Sequence, residues 1–304
     1  MTALAEKPPV TPTRPALRHR LAERGIDRTL LLLVPGLVFI VVLFLYPFLY
    51  GLGLSFTPDQ GGGPFANYQK FFQDPYLRNT LWTTFELGLP AALINVAASV
   101  PMAFKLRRPF RGKRTLTTLL VVPITLGTVL TADGLLEFLA PSGWLNKTLL
   151  AWHIVDQPIE LVHNYWGVLF SLIITGFPFA FLLTMSYLSG IDPTLESAAS
   201  TLGAGWWERF RFITLPLLAP GLAITFCLSF VLAFSVFPSA ILVGDPSGET
   251  RVISIAAYHA AREQFDYSMG STIAVIMTVS MLIVIAAVLL WRGTLYKGAT
   301  GGKG

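Results

Sequence analysis

Apolar runs long enough to cross a bilayer alternate along this chain with short segments rich in lysine, arginine, glycine and proline. The first run covers about residues 29–54, and five more follow at 79–104, 115–138, 164–188, 217–243 and 268–291. A membrane-crossing helix takes about 20 mostly apolar residues, because each adds ~1.5 Å toward a hydrocarbon core of ~30 Å. All six runs meet that length. Four of the six hold no charged residue; the exceptions are Glu86 in the second and Asp133 with Glu137 in the third. The first run has 26 residues, beyond the ~7–15 of a secretory h-region, so it reads as a retained span. The pattern predicts an all-α integral membrane protein with one six-helix transmembrane domain over 29–292. A partly disordered, proline-rich tail at 1–28 and a second tail at 293–304 flank it.

Composition agrees and narrows the class. Hydrophobic residues make up 53% of the 304, charged residues only 13%, and mean hydropathy is +0.62. A soluble domain carries about a quarter charged residues, so the solvent for most of this surface is lipid. The formal charge of +5 does not point to nucleic acid, because the basic residues flank the apolar runs and act as topology signals. Cys227 is the sole cysteine, which excludes an internal disulfide, and His19, His153, His163 and His259 lack metal-ligand spacing.

Basic residues set the orientation. Six lie in the first tail (Lys7, Arg14, Arg18, Arg20, Arg24, Arg28) and six after the second run (Lys105, Arg107, Arg108, Arg111, Lys113, Arg114). Arg209 and Arg211 precede the fifth run, and Arg292, Lys297 and Lys303 close the chain. One side of the membrane therefore holds 17 of 22, against five on the other: Lys70, Arg78, Lys147, Arg251 and Arg262. The positive-inside rule then places both termini in the cytoplasm. On the outer side, 143–152 predicts a short interfacial helix with Trp144, Leu145, Thr148, Leu149 and Trp152 on one face and Asn146 on another.

Prolines at 35, 47, 90, 101, 123, 178, 220 and 238 interrupt the runs. Each removes a backbone donor and bends a helix. Two uses are open: ordinary packing, which membrane helices tolerate, or hinges along a pathway.

The most informative stretch is IDPTLESAASTLGAGWWERFRFITLPLLAPG, over 191–221. Asp192 before Pro193 starts a helix, and Gly203 or Gly205 ends it by positive φ. A second helix is expected from Trp206, amphipathic through Trp206, Phe210 and Ile213, lying along the membrane until Pro216 and Pro220 redirect the chain into span five. Small side chains at Ala198, Ala199 and Ser200 allow close docking into a partner's groove; a plain interfacial loop is the other reading. The spacing resembles the EAA loop of type I ABC importer permeases: two alanines, three residues, glycine, nine residues, then I-x-L-P. Here Ala198, Ala199, Gly203, Ile213, Leu215 and Pro216 stand at those places, while Ser197 replaces the family's glutamate and Glu196 sits one residue earlier.

That resemblance covers the chain from about span one to span six and implies a mechanism. The loop would be a coupling helix seated in a separate ATP-binding cassette ATPase, which binds the ATP and Mg. This chain would bind no cofactor and catalyse no reaction; Gly302 and Lys303 do not make a P-loop. A second permease subunit, identical or not, and an extracytoplasmic substrate-binding protein would complete an importer in the bacterial cytoplasmic membrane. Thr201, Leu202, Gly203 and Ala204 are similar to spermidine/putrescine-type permeases, as are Asn67 with Tyr68, the run from Gly143 to Asn146, and Phe265, Asp266 and Tyr267. Polyamine is the expected solute, with sugar, phosphonate, iron, thiamine and sulfate as alternatives within the class. Glu86, Asp133 and Glu137 are either a cation path or hydrated groups near the outer interface. A secondary transporter would not need the 191–221 spacing, and a membrane-embedded enzyme would need a catalytic constellation that the spans lack.

Overall fold

The computed structural model describes residues 32–59, 61–107 and 111–295, and every element among them is helical, with no strand. The expectations for the tail at 1–28 and for Arg108, Lys297 and Lys303 lie outside the described residues. Five helices are long and apolar enough to cross a membrane, or six if one sharply bent pair is a single span. The residues up to Gly53 and those from Leu54 onward are two separate units.

Helix α1 (Val34–Ser55) has mean hydropathy 2.4. No charged residue interrupts it, as suits a membrane span. A wide turn at Val41–Leu45 precedes Pro47, with Tyr46 N–H reaching Val41 O. Widening the turn accommodates a residue that cannot donate to the carbonyl four back and would clash with it.

The second unit is organised around α3 (Pro75–Leu106), preceded by the short α2 (Ala66–Gln73). Asp74 caps α3 by accepting from Tyr76 N at 2.9 Å, and Pro75 occupies a position where its missing N–H costs nothing. Against α3 pack α7 (Tyr165–Ser189) and α9 (Trp206–Phe234). Their approach is close because small residues line it. A Cβ on Gly176 would meet Asn95 Nδ2 at 2.4 Å, and one on Gly221 would meet the Tyr187 ring at 2.4 Å. Without a hydrophobic drive between helices in lipid, such packing and interhelical hydrogen bonds supply cohesion. Ser99 and Thr184 share a 2.7 Å bond, and Ser171 pairs with Ser239 at 2.8 Å. The last helices among the described residues, α11 (Ile253–Tyr258) and α12 (Tyr267–Leu295), close a core with Phe71, Phe230, Phe234, Ile253 and Ile273.

Two expected spans differ from the structure. The third is not continuous over 115–138: α4 (Lys113–Leu126) and α5 (Thr128–Leu139) are separated at Gly127, and the stretch before it is bent by 106° from the stretch that runs on to Ala151. Gly127 has φ 75° and ψ 166°, a region essentially restricted to glycine. Pro123, one turn earlier, already lacks a ladder donor. Thr131 anchors the start of α5 by donating both its N–H, at 3.2 Å, and its hydroxyl, at 2.7 Å, to Gly127 O, and the hydroxyl also lies 3.5 Å from Pro123 O. The fifth run does not reach 243 as one helix either. α9 stops at Phe234, and a short α10 (Pro238–Leu242) follows, because Pro238 disfavours helical geometry at Phe237, which sits at φ −135°.

At its start α9 departs from expectation in the other direction. No separate surface helix precedes it: Trp206 opens α9 itself, which passes Pro216 through a wide turn at Phe210–Thr214. This is the same arrangement seen before Pro47. A short helix is present at the stretch expected for it over 143–152, as α6 (Trp144–Ala151), with Trp144 and Trp152 exposed. Asn146 is not one of its water-facing positions. It is fully buried, donates to the carbonyls of Ala140 and Ile159 and accepts from Ile159 N at 2.7 Å.

Candidate functional site

The segment between α7 and α9 folds into α8 (Pro193–Thr201), and each end has an identifiable cause. At the start, Asp192 accepts from Thr194 N at 2.9 Å with Pro193 in the first turn. The bonds from Thr194 hold the Asp192 carboxyl below its usual range. At the end, Ala204 N–H reaches Ala199 O at 3.0 Å and Gly203 N–H reaches Ser200 O at 3.1 Å. That pair of bonds is a Schellman cap, which needs the left-handed residue Gly203 supplies at φ +89°. Glu208 then accepts from Gly205 N at 2.7 Å, starting α9.

One polar side chain of α8 turns inward. Glu196 is 9% exposed and takes both guanidinium nitrogens of Arg107 at 2.6 and 2.5 Å, while Thr214 Oγ1 donates to it at 2.7 Å. Arg107 sits at the end of α3 and Thr214 in the wide turn of α9, so one carboxylate joins three helices. The Arg107 hydrogen bonds lower the Glu196 pKa against the opposing effect of burial, with Thr214 and the charges of Arg107 and Arg209 assisting. Arg107 also lies 4.1 Å over the Phe104 ring, and Phe104 meets Phe210 edge-on at 5.0 Å. The charged pair therefore rests on an aromatic floor.

The rest of α8 faces outward. Leu195, Ser197, Ala198 and Ser200 are exposed, Ala199 is half-buried, and Leu202 is 89% exposed. Ser197 Oγ donates only to its own helix, at Pro193 O. Ile213 and Leu215 are half-buried and Pro216 is exposed on the first turns of α9. The sequence placed Glu196 in this segment but did not reveal Arg107 or Thr214 as its partners. Arg107 read as one of many topology charges, and 89 positions separate it from Glu196.

The three acidic residues within the spans are not gathered into one site. Glu86 is exposed on α3, and its backbone carbonyl accepts from Tyr165 OH at 2.9 Å. Asp133 and Glu137 are exposed together on α5. Asp133 borders a cavity of about 450 Å³ at the Gly127 break, with Thr128, Leu130 and Leu242. None of the three carboxylates takes part in an ion pair among the described residues. No cluster of metal-ligating side chains occurs among the described residues either.

Long apolar helices, small-residue contacts and a broken span define a multi-pass membrane protein. The chain belongs to the family of binding-protein-dependent transport system inner membrane components, which it matches over residues 28–299. It is a permease subunit of a binding-protein-dependent ABC importer. The chain is 26% identical over 268 residues to the spermidine/putrescine transport system permease protein PotB of Haemophilus influenzae, covering 84% of this chain and 90% of that one. It is 28% identical over 203 residues to a probable sulfate transport system permease protein cysT of Prototheca wickerhamii, covering 66% and 78%. In fold it is similar to a chain of a bacterial alginate ABC transporter solved with an alginate-bound periplasmic protein, with TM-score 0.78, 22% identity, and coverage of 93% and 99%.

Proposed function

We propose that α8 is the coupling helix of this importer subunit, the element that seats in a separate ATPase. The observation that carries this reading is the outward face of α8. Ala198, Ala199 and Gly203 let a groove approach the backbone, Leu202 is left almost uncovered by its own chain, and Leu195 is about half exposed. Fully burying one leucine is worth about 1.5–3 kcal/mol, enough to favour a docked state. The Arg107 end of α3 and the start of α9 are then cytoplasmic, as are both termini. ATP and Mg belong to the partner ATPase. A second permease subunit completes the pathway, and an extracytoplasmic binding protein delivers the solute. The family and the alginate transporter's periplasmic partner support those assignments.

For the solute, a polyamine is the reading we favour. The polyamine-transport relative spans more of this chain than the sulfate one, 84% against 66%, and Asp133 and Glu137 give one face of α5 negative charge. Sulfate or an acidic oligosaccharide are the competing classes that the other two similar proteins represent. A ligand screen on the cognate binding protein separates them.

Docking is tested by Ala199→Trp and Gly203→Asp. No atom lies within 4 Å of a Cβ at Gly203, so the second variant meets only backbone strain of about 1 kcal/mol within its own chain. A rigid groove cannot absorb the added atoms. Both variants are expected to reach the membrane and to lose the ATPase on copurification. If both retain it and transport at the parent rate, α8 is not the docking element.

A further inference from the structure

Resting on that reading of α8, we infer that Arg107, Glu196 and Thr214 are positioning residues, a latch that makes the coupling helix move as one body with α3 and α9. On this view α8 transmits its motion to those two helices, and the connector at 190–192 is the hinge that frees it from α7.

The two sides of α8 are built differently. Toward α3 and α9, its one inward carboxylate is held by two guanidinium bonds and one hydroxyl bond, on three elements far apart in sequence. Bidentate charge-assisted bonds fix direction as well as distance, which is what a mechanical link requires. The same helix packs on the first turns of α9. Between α8 and the end of α7 the packing is open instead. A cavity of about 470 Å³ has Arg107, Glu196 and Arg209 on its latch side and Ser189 and Ile191 on its connector side, and another of about 480 Å³ is bordered by Ser186, Gly190, Asp192 and Leu217. Both border the connector, where Gly190 and Ile191 make single turn bonds of 3.2 and 3.3 Å back to Tyr187 and Leu188. Directed bonds to two other helices transmit displacement across that opening, while a connector beside voids, held only by short turn bonds, absorbs it. Removal of the latch therefore separates docking from response.

The test uses the full chain reconstituted with its ATPase, in a Cys227→Ser background with Ser189→Cys as reporter beside the hinge. A water-soluble thiol reagent reads the labelling rate with and without ATP, while ATPase retention and hydrolysis are measured in parallel. The parent is expected to change its labelling rate severalfold on ATP binding. Glu196→Gln and Arg107→Gln are each expected to lose more than half of that change for every ATPase retained. The double swap Arg107→Glu with Glu196→Arg is expected to restore most of it, which a general loss of stability would not allow. Should the single variants shed the ATPase, the swap must bring it back. An unchanged response in the single variants, no response in the parent, or no rescue by the swap overturns the latch. Ala199→Trp separates this from the underlying reading. If that variant keeps its ATPase, docking by α8 is wrong; if it sheds the ATPase while the latch variants behave as the parent, only the latch is wrong.

Discussion

Glu196 and the pair Asp133 with Glu137 are carboxylates on short helices beside glycine-linked breaks, yet the fold treats them in opposite ways. Glu196 is buried and meets a guanidinium and a hydroxyl from other helices. Asp133 and Glu137 stay exposed on one face of α5, with no ion-pair partner among the described residues. A charge withdrawn from water must be paired, and pairing across distant elements fixes their relative placement. A charge left at a hydrated surface costs little and constrains nothing. The contrast separates a site that ties the subunit's own helices together from one with no ion-pair partner among the described residues.

The comparison breaks first at Arg107. Arg107→Ala leaves the Glu196 carboxylate buried without its cation. Removing one partner of a fully buried pair costs about 3–5 kcal/mol. The side chains here are 20% and 11% exposed, so about 2–3 kcal/mol is expected once solvent screening is allowed for. Thermal unfolding in detergent would show this as a lowered Tm, and a Tm equal to the parent's would mean the pair is ornamental. The acid dependence has a definite sign. The Glu196 pKa lies below its ordinary 4.5, so its contribution is fully present above that value and disappears as pH falls through the lower folded value. The difference in Tm between parent and Glu196→Gln should therefore be flat across the neutral range and shrink only under acid. A difference that already narrows from about pH 7.5 to 6, well above any carboxylate range, would exclude the charged pair as its source.

Gly127 offers the next largest effect, on the other side of the contrast. It sets the direction of the arm that carries Asp133 and Glu137. Gly127→Ala forces a Cβ into φ 75°, ψ 166°, with a strain of about 1–2 kcal/mol after relaxation of the adjoining helix ends. A lower Tm together with altered accessibility of cysteines placed along α5 is expected. If Tm and accessibility both match the parent, the break does not depend on glycine.

How much of this was legible in the sequence follows from what each signal reports. Apolar length reports a helix's environment, so five of the runs match long helices and the third matches a bent pair. It reports nothing of φ, so the third run read as continuous across Gly127 although the helix breaks there at φ 75° and ψ 166°. The proline at 238 was visible, but only packing decides whether such a residue kinks a helix or ends it at Phe234. Local chemistry was legible where it acts within a few residues, as at Asp192 and Gly203. The partners of Glu196 were not, because hydrogen bonds between positions 89 and 18 residues apart leave no mark on spacing. The sequence also left open whether Glu196 or Ser197 makes the glutamate's contacts in the EAA-like segment. Of the two, Glu196 is the buried one, while Ser197 is exposed and bonds only to its own helix.

The smallest effect sharpens the comparison furthest. Asp133 and Glu137 are like charges one helical turn apart, an arrangement that destabilises a helix by about 0.2–0.5 kcal/mol. Glu137→Gln removes that repulsion and leaves no buried group unpaired, so Tm should hold or rise slightly, unlike the fall at Arg107. Uptake by the reconstituted complex then tells what the exposed pair is for. If the solute is a polyamine, neutralising one carboxylate weakens a path for cations, and uptake of labelled spermidine should drop severalfold while the ATPase remains bound. If the solute is an oxyanion such as sulfate, loss of a negative charge should leave its uptake equal or faster. Unchanged spermidine uptake in a complex shown to import spermidine would assign the pair to hydration of the α5 surface. A Tm that falls as far as that of Arg107→Ala would show that these carboxylates, too, are held by partners, and the distinction between the two sites would not stand.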